Sequence, residues 1–319
     1  MLMLATLSDW RAPVFAKTRQ RIAQLMAQAP SIEAINVGPS HNRAIDYETL
    51  GVVGYHGWFG GSDMKETTYF LKNMLPQLPK LRLVMICIAP TSLHLDNGLV
   101  PNHQRNRHKI YFVTPGLQSW EPISGEWQEL IIGKLANVVR DDHWRAVFRS
   151  SSTDSGEEED AENEGEIYRH GRPKKNDDHR FIPGPDVEYK AREYVASKRV
   201  KPVIETLRGN PRIAADLTER LDRTLALLKA EGIEVLLFTP PYTDYYYNSL
   251  KQLLPDVVEE NRRIVHDLAI KHKVRYIDFR ENPDFAQNYQ MFFNIDHLNI
   301  YGAEAFSHIL TELAPEIFR

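Results

Sequence analysis

The sequence predicts an α/β fold, a three-layer sandwich in which a mostly parallel five-stranded sheet lies between helices. Three observations predict it. The run Leu81–Ala89 (LRLVMICIA) is apolar throughout except for Arg82, as expected of a parallel strand buried on both faces. Four shorter apolar runs alternate with segments of helical period, the pattern of strand–helix–strand units. Glycine, proline or polar residues follow the ends of these runs, where the chain has to turn.

The elements follow in order. Trp10–Gln28 reads as a helix, with Val14, Ile22, Leu25 and Met26 on one stripe. Ile32–Val37 reads as a short strand stopped by Gly38-Pro39, and Gly51–Tyr55 as a second strand that runs into Gly57, Gly60 and Gly61. Met64–Leu75 is helical in period, and Leu81–Ala89 is the third strand. Two helices follow Val187, separated at Gly209-Asn210-Pro211. The second, Arg212–Glu231, sets Ile213, Leu217, Leu221, Leu225 and Leu228 on one face and closes at Gly232. Glu234–Phe238 is the fourth strand, ended by Thr239-Pro240-Pro241. A helix over Pro255–His272, a strand over Val274–Phe279 and a helix over Gly302–Leu313 complete the chain.

The domain reading is one α/β domain over residues 1–319 with an insertion at 95–185 after the third strand. The insertion contains an acidic loop at 151–166. Eight of the thirteen residues from Asp154 to Glu166 are acidic, a composition that buries no core and favours disordered or solvated chain.

Composition excludes several functions. A net charge of −4 with no basic face argues against a nucleic-acid partner, and the basic stretch Arg169–Lys175 sits beside the acidic run. The single cysteine, Cys87, cannot form an intramolecular disulfide, and its place inside the third strand marks it as packing rather than a nucleophile. No run of about 18 apolar residues is present. Met1–Leu7 is too short for a signal peptide and lacks a basic start. It reads either as the stub of a trimmed anchor or as the lead into the first helix. Neither Gly-x-Gly-x-x-Gly nor Gly-Lys-Ser/Thr occurs, and His103, His108, His143, His170 and His179 lack the spacing of a zinc-peptidase motif. No cofactor and no metal are expected.

In open parallel sheets functional groups gather beyond the carboxyl ends of the strands. The first strand is followed there by Gly38-Pro39-Ser40-His41, the second by the glycine-rich Gly57–Gly61 segment, the third by Pro90-Thr91-Ser92, and the fourth by Pro240-Pro241-Tyr242-Thr243-Asp244. Asn294-Ile295-Asp296-His297-Leu298-Asn299 follows the fifth, just before the last helix. A serine and a histidine on neighbouring strand ends are the parts of nucleophilic acyl transfer, because a serine hydroxyl needs a base within hydrogen-bond reach.

These two motifs, in this order and position, resemble the SGNH (GDSL-like) hydrolases. They are most similar to the envelope-associated SGNH-like proteins of cell-surface polymer acylation systems. The likeness rests on Gly38-Pro39-Ser40-His41 and on Phe293–Ala303 (FNIDHLNIYGA). The resemblance implies a flavodoxin-like SGNH fold, with Ser40 as nucleophile and His297 as general base. Asn294 stands where the family usually has the aspartate that orients the histidine, so Asn294 is the first candidate for that role. Asp296, the histidine's immediate neighbour, is the second and the more awkwardly placed. Oxyanion donors would be the amides of Ser40 and of Gly60 or Gly57. The Ser92 hydroxyl would stand in for the family's asparagine. The resemblance also implies an acyl-bearing small molecule or cell-surface glycan as substrate, a membrane acyltransferase as partner, and a place in the cell envelope (or in the cytoplasm if the N-terminus is native).

Each residue also has a plainer reading. Ser40 fits a helix N-cap, and His297 fits a turn histidine. His41 reads as a neighbour that shapes a substrate pocket. Trp58, Tyr242 and Tyr245 read either as stacking surfaces for a sugar ring or as packing. Two functions therefore stand. One is a serine ester hydrolase or O-acyltransferase working through an acyl-serine. The other is a catalytically weakened or inactive binding protein beside a membrane acyltransferase. The distance between Ser40 Oγ and the His297 ring discriminates between them.

Overall fold

The structure, a computed structural model, describes residues 16–57, 61–100 and 178–319. Trp58, Phe59, Gly60, the acidic loop, most of the insertion and the expected start of the first helix lie outside the described residues.

The chain forms helix α1 (Ala16–Gln28), strand β1 (Ala34–Val37), the one-turn helix α2 (Tyr47–Leu50), β2 (Gly54–His56), α3 (Met64–Met74) and β3 (Leu83–Cys87). After the insertion come α4 (Val187–Val195), α5 (Lys201–Gly209), α6 (Ile213–Ala230), β4 (Glu234–Thr239), α7 (Asp244–Leu253) and α8 (Pro255–His272). They are followed by β5 (Arg275–Asp278), the short α9 (Pro283–Ala286), α10 (Ile300–Leu313) and α11 (Pro315–Phe318). The five strands form one sheet in the order β2-β1-β3-β4-β5, and every pairing is parallel. This is a doubly wound order, whose switch point lies where β1 meets β3. Ser40 leaves the sheet at that point.

Alternation along the strands builds two core layers. Ile35, Val37, Val84 and Ile86 face α1, α3, α6 and α8, where the leucine stripe Leu217, Leu221, Leu225 and Leu228 is completely buried. Ala34, Leu83, Met85, Cys87 and Phe238 face the other way, against Tyr47, Phe306 and Leu310 of α2 and α10. Cys87 is buried within this layer, and burial pushes its thiol well above the ordinary cysteine range, so it packs and does not react.

Three departures from the sequence reading have local causes. The second strand begins at Gly54 rather than Gly51, because Gly51 closes α2 in a left-handed conformation (φ 68°). The last helix begins two residues early because the Asn299 side chain caps it, accepting from the Gly302 amide at 3.0 Å. Helix α7 falls in a segment to which the sequence pattern assigns no element. Thr243 starts it as N-cap, and Tyr246, Tyr247 and Leu250 pack inward against Val195 and Val203, forming a third apolar cluster.

Candidate active site

Ser40 is presented by a tight exit from β1. Gly38 has φ 127°, and a side chain there would meet the Cys87 carbonyl oxygen at 2.6 Å, so only glycine lets the chain turn this close to β3. A single 3₁₀ turn, Ser40–Ala44, follows. The residue in the cap position is Pro39, and the Ser40 hydroxyl caps nothing in that turn. The plainer N-cap reading of Ser40 is therefore not what the structure shows. The turn is also too short to carry a helix macrodipole, leaving its individual amides as donors. The floor is fixed by Asn36, buried on β1. Its amide donates to the Asn42 carbonyl at 2.6 Å, and its oxygen accepts from the Tyr47 hydroxyl at 2.8 Å.

His297 sits on a loop pinched shut at its base. Phe292 and Leu298 pair as an antiparallel bridge, and the Phe293 amide donates to the His297 carbonyl at 2.8 Å. Asn299 ties the base further, donating to the carbonyls of Gln290 at 2.7 Å and His179 at 2.9 Å. From the other side the Thr243 hydroxyl donates to the Ile295 carbonyl at 2.6 Å. Inside the loop, Asn294 Oδ1 accepts from the backbone amides of His297 at 2.9 Å and Asp296 at 3.1 Å.

These two constructions bring Ser40 Oγ to 2.7 Å from His297 Nε2. On the far side of the ring, His297 Nδ1 lies 2.7 Å from Asp296 Oδ1 and 3.2 Å from Asn294 Oδ1. This corrects the expected ranking of the two orienting groups. The Asn294 turn folds the backbone back so that the adjacent Asp296 carboxylate does reach the ring. Asn294 spends its oxygen mainly on backbone amides.

Asp296 is buried, with a relative exposure of 1%. Its Oδ2 accepts from Arg199 Nη2 at 2.5 Å, from the Tyr194 hydroxyl at 3.3 Å and from His41 Nε2 at 3.3 Å. Burial works against the charge, but His297, Arg199 and His41 outweigh it and hold the carboxyl well below the ordinary aspartate range. His41 is buried and stacked on the His297 ring, with centroids 4.6 Å apart. Desolvation lowers its pKa to about 4, so it is neutral at pH 7. His41 thus supports the pair from within the protein and also forms part of the cleft wall over Ser40. The ligating atoms of His41, Asp296 and His297 lie within 4.8 Å of one another, as in a metal site. Arg199 already supplies the positive charge that a cation would bring to Asp296.

An open cleft lies over Ser40, lined by Pro39, His41, Gly61, Ser62, Ala89, Thr91, Ser92, Lys198, Arg199, Pro202 and Tyr246 among others. The Ser40 amide makes no hydrogen bond to a described residue and is free to act as an oxyanion donor. Ser92 lines the cleft. Its oxygen accepts from the Ala89 amide at 2.8 Å, which leaves its own proton to donate. Gly57 is excluded as a donor. Its amide is spent on the Asn36 carbonyl at 2.8 Å, and a side chain at this position would strike Phe70 and Ile35. Gly61, one residue past the expected Gly60, lines the cleft.

No family model matches this sequence, and no curated protein sequence matches it. Among solved structures, the chain is similar to a putative acylhydrolase from Bacteroides fragilis NCTC 9343. The two share 12% identity and a TM-score of 0.42, with 94% of this chain and 97% of that chain covered. So loose a superposition carries no functional weight, and the reading of the site rests on its own geometry.

Two of the aromatic candidates do not line the cleft. Tyr242 is 1% exposed and packs in the apolar cluster of α7, so it offers no face to a sugar. Tyr245 stacks on Tyr289, with centroids 5.2 Å apart, and does not line the cleft; Tyr246 lines it instead. Trp58 lies outside the described residues. Sequence reasoning missed Arg199 and Tyr194. Neither belongs to a motif, and Arg199 is 97 residues from Asp296, so only the fold brings them together.

Proposed function

We propose that this protein is a serine ester hydrolase that works through an acyl-serine intermediate. The observation that carries the reading is the unbroken chain Ser40 Oγ–His297–Asp296, with 2.7 Å on each side of the imidazole. In this reading His297 Nε2 takes the Ser40 proton as the hydroxyl attacks an acyl carbonyl. Asp296 holds the Nδ1–H tautomer and stabilises the imidazolium that forms. The Ser40 amide, the Ser92 hydroxyl and an amide of the Gly60-Gly61 segment would receive the oxyanion. The imidazolium then protonates the leaving alcohol, and water, activated by the same histidine, releases the acid.

Contact at 2.7 Å supports this reading over that of an inactive accessory protein, in which nothing requires the two side chains to meet. An acyl-serine can also be resolved by a second alcohol. Transfer to a cell-surface glycan, in the company of a membrane acyltransferase, is the form of the reaction that the sequence resemblance favours.

The test is labelling by a fluorophosphonate probe. The wild-type protein is expected to label, and Ser40→Ala and His297→Gln are expected not to. Labelling that survives Ser40→Ala removes Ser40 from the mechanism.

A further inference from the structure

Between α4 and α5 the helix loosens into a π-helical turn, Ala196–Val200, in which Arg199 lies. Such single-turn π segments recur at functional sites because they re-aim side chains that a regular helix would point elsewhere. Arg199 reaches from this turn to Asp296 Oδ2 at 2.5 Å. It also donates through Nε to the Tyr246 hydroxyl at 3.1 Å, and its side chain, 25% exposed, forms part of the cleft wall.

We propose that Arg199 is a positioning residue for the reaction. Through Oδ2 it fixes the Asp296 carboxylate so that Oδ1 faces His297 Nδ1, and its charge sets the pH at which the His297–Asp296 pair takes up a proton. This inference rests on the reading of Ser40, His297 and Asp296 given above.

The geometry supports it in two ways. An aspartate next in sequence to its histidine can rotate away from the ring, and the contacts on Oδ2 oppose that rotation. The groups facing the carboxylate are His41 from the 3₁₀ turn, Tyr194 from α4, Arg199 from the π turn, Tyr246 from α7, Tyr242 just before it, and His297 itself. His41 is held neutral and the tyrosines are uncharged near pH 7, which leaves Arg199 as the permanent cation of the set. A cation beside the pair lowers its affinity for a proton. Removing that cation makes the pair protonate at higher pH, and activity is lost there because the base must be neutral to accept the serine proton. Lysine would keep the charge but lose the planar guanidinium.

The experiment is the pH dependence of kcat and KM on p-nitrophenyl acetate for wild type, Arg199→Gln and Arg199→Lys, with circular dichroism as the check on folding. In Arg199→Gln, kcat is expected to fall by about 10² at nearly constant KM, and the acid limb of kcat/KM to move up by about one pH unit. Arg199→Lys is expected to keep the wild-type limb and recover part of the lost kcat. An unmoved limb in a folded Arg199→Gln, or a lysine variant no better than glutamine, overturns the inference. If Arg199→Gln does not fold, Arg199→Lys decides alone: kcat reduced about tenfold at unchanged KM supports positioning, and wild-type kcat overturns it. A wild-type protein that labels at Ser40 while the Arg199 variants keep full rate and an unmoved limb refutes this inference only. Wild-type protein with no Ser40 chemistry refutes both.

Discussion

Asp296→Asn separates the two candidates for the group that orients His297. The carboxylate lies 2.7 Å from Nδ1 and is ionised, whereas the Asn294 oxygen lies 3.2 Å away and already serves two backbone amides. An asparagine at position 296 has no charge to stabilise the imidazolium and can present its amide to the ring, favouring the wrong tautomer. In a serine–histidine–aspartate arrangement that change costs up to about 10⁴ in kcat, or roughly 5.4 kcal/mol of transition-state stabilisation. Stability falls as well, because Arg199 loses its counter-charge. The cost should lie near the low end of the roughly 3–5 kcal/mol seen for broken buried pairs, since the arginine side chain is still 25% exposed. Asn294→Ala keeps the Asp296 carboxylate but removes the two amide bonds that shape the turn presenting it, worth about 1 kcal/mol each, so its expected loss is about 10- to 100-fold in kcat. The assay is steady-state hydrolysis of p-nitrophenyl acetate, with thermal melts run in parallel. An Asn294→Ala variant that loses more kcat than Asp296→Asn would refute the assignment.

Other predictions follow from the same contacts. His41 is neutral in the fold, because burial lowers its pKa from the ordinary histidine value of about 6.5 to about 4, so the unfolded chain binds more protons between these values. Stability is therefore expected to fall as pH drops from about 6.5 toward 4, by about 3 kcal/mol in all; urea melts of His41→Gln should show a shallower decline over that window, and an equal decline would contradict the assignment. Asp296 contributes in the opposite sense. Its folded pKa is depressed, so its stabilisation is complete above the unfolded aspartate value and is lost only as pH falls through the folded one. The Asp296→Asn melt should accordingly differ from wild type at neutral pH and converge with it in strong acid. Gly38→Ala should destabilise by about 2–4 kcal/mol, from a strained positive φ and a 2.6 Å approach to the Cys87 carbonyl oxygen, and a melt unchanged from wild type would contradict the close packing of β1 on β3. Ser92→Ala should lower kcat by about 10²-fold if its hydroxyl serves the oxyanion, with KM little changed; an unaltered kcat would leave the backbone amides as the only donors.

The parts of the fold that were legible in the sequence are those governed by burial period. Leu83–Cys87 and the stripe from Ile213 to Leu228 are apolar because the sheet and α6 bury them, and they stand where the pattern placed them. Helix α7 was not legible, because three consecutive tyrosines after two prolines carry no clear period; tertiary packing against Val195 and Val203 makes the segment helical. The site divides in the same way. Ser40 and His297 could be read because each sits in a short motif at a strand end. The role of Asp296 could not, because an adjacent residue reaches the imidazole only through the turn that Asn294 closes with its side chain. Arg199 and Tyr194 left no trace, since their place at Asp296 follows from a π turn and from the packing of α4 against α7. Gly57 reads like an oxyanion glycine in the sequence, yet it is glycine because Phe70 and Ile35 leave no room for a side chain.

The central claim is that Ser40 carries the acyl group. Its most direct test is mass spectrometry of the protein quenched during turnover of p-nitrophenyl acetate, followed by peptide mapping. The account predicts one acetyl group on the peptide containing Ser40, in amounts that rise to a steady state and vanish in Ser40→Ala. Turnover with Ser40 unmodified at every time point, or acetyl on another residue that persists in Ser40→Ala, would contradict it.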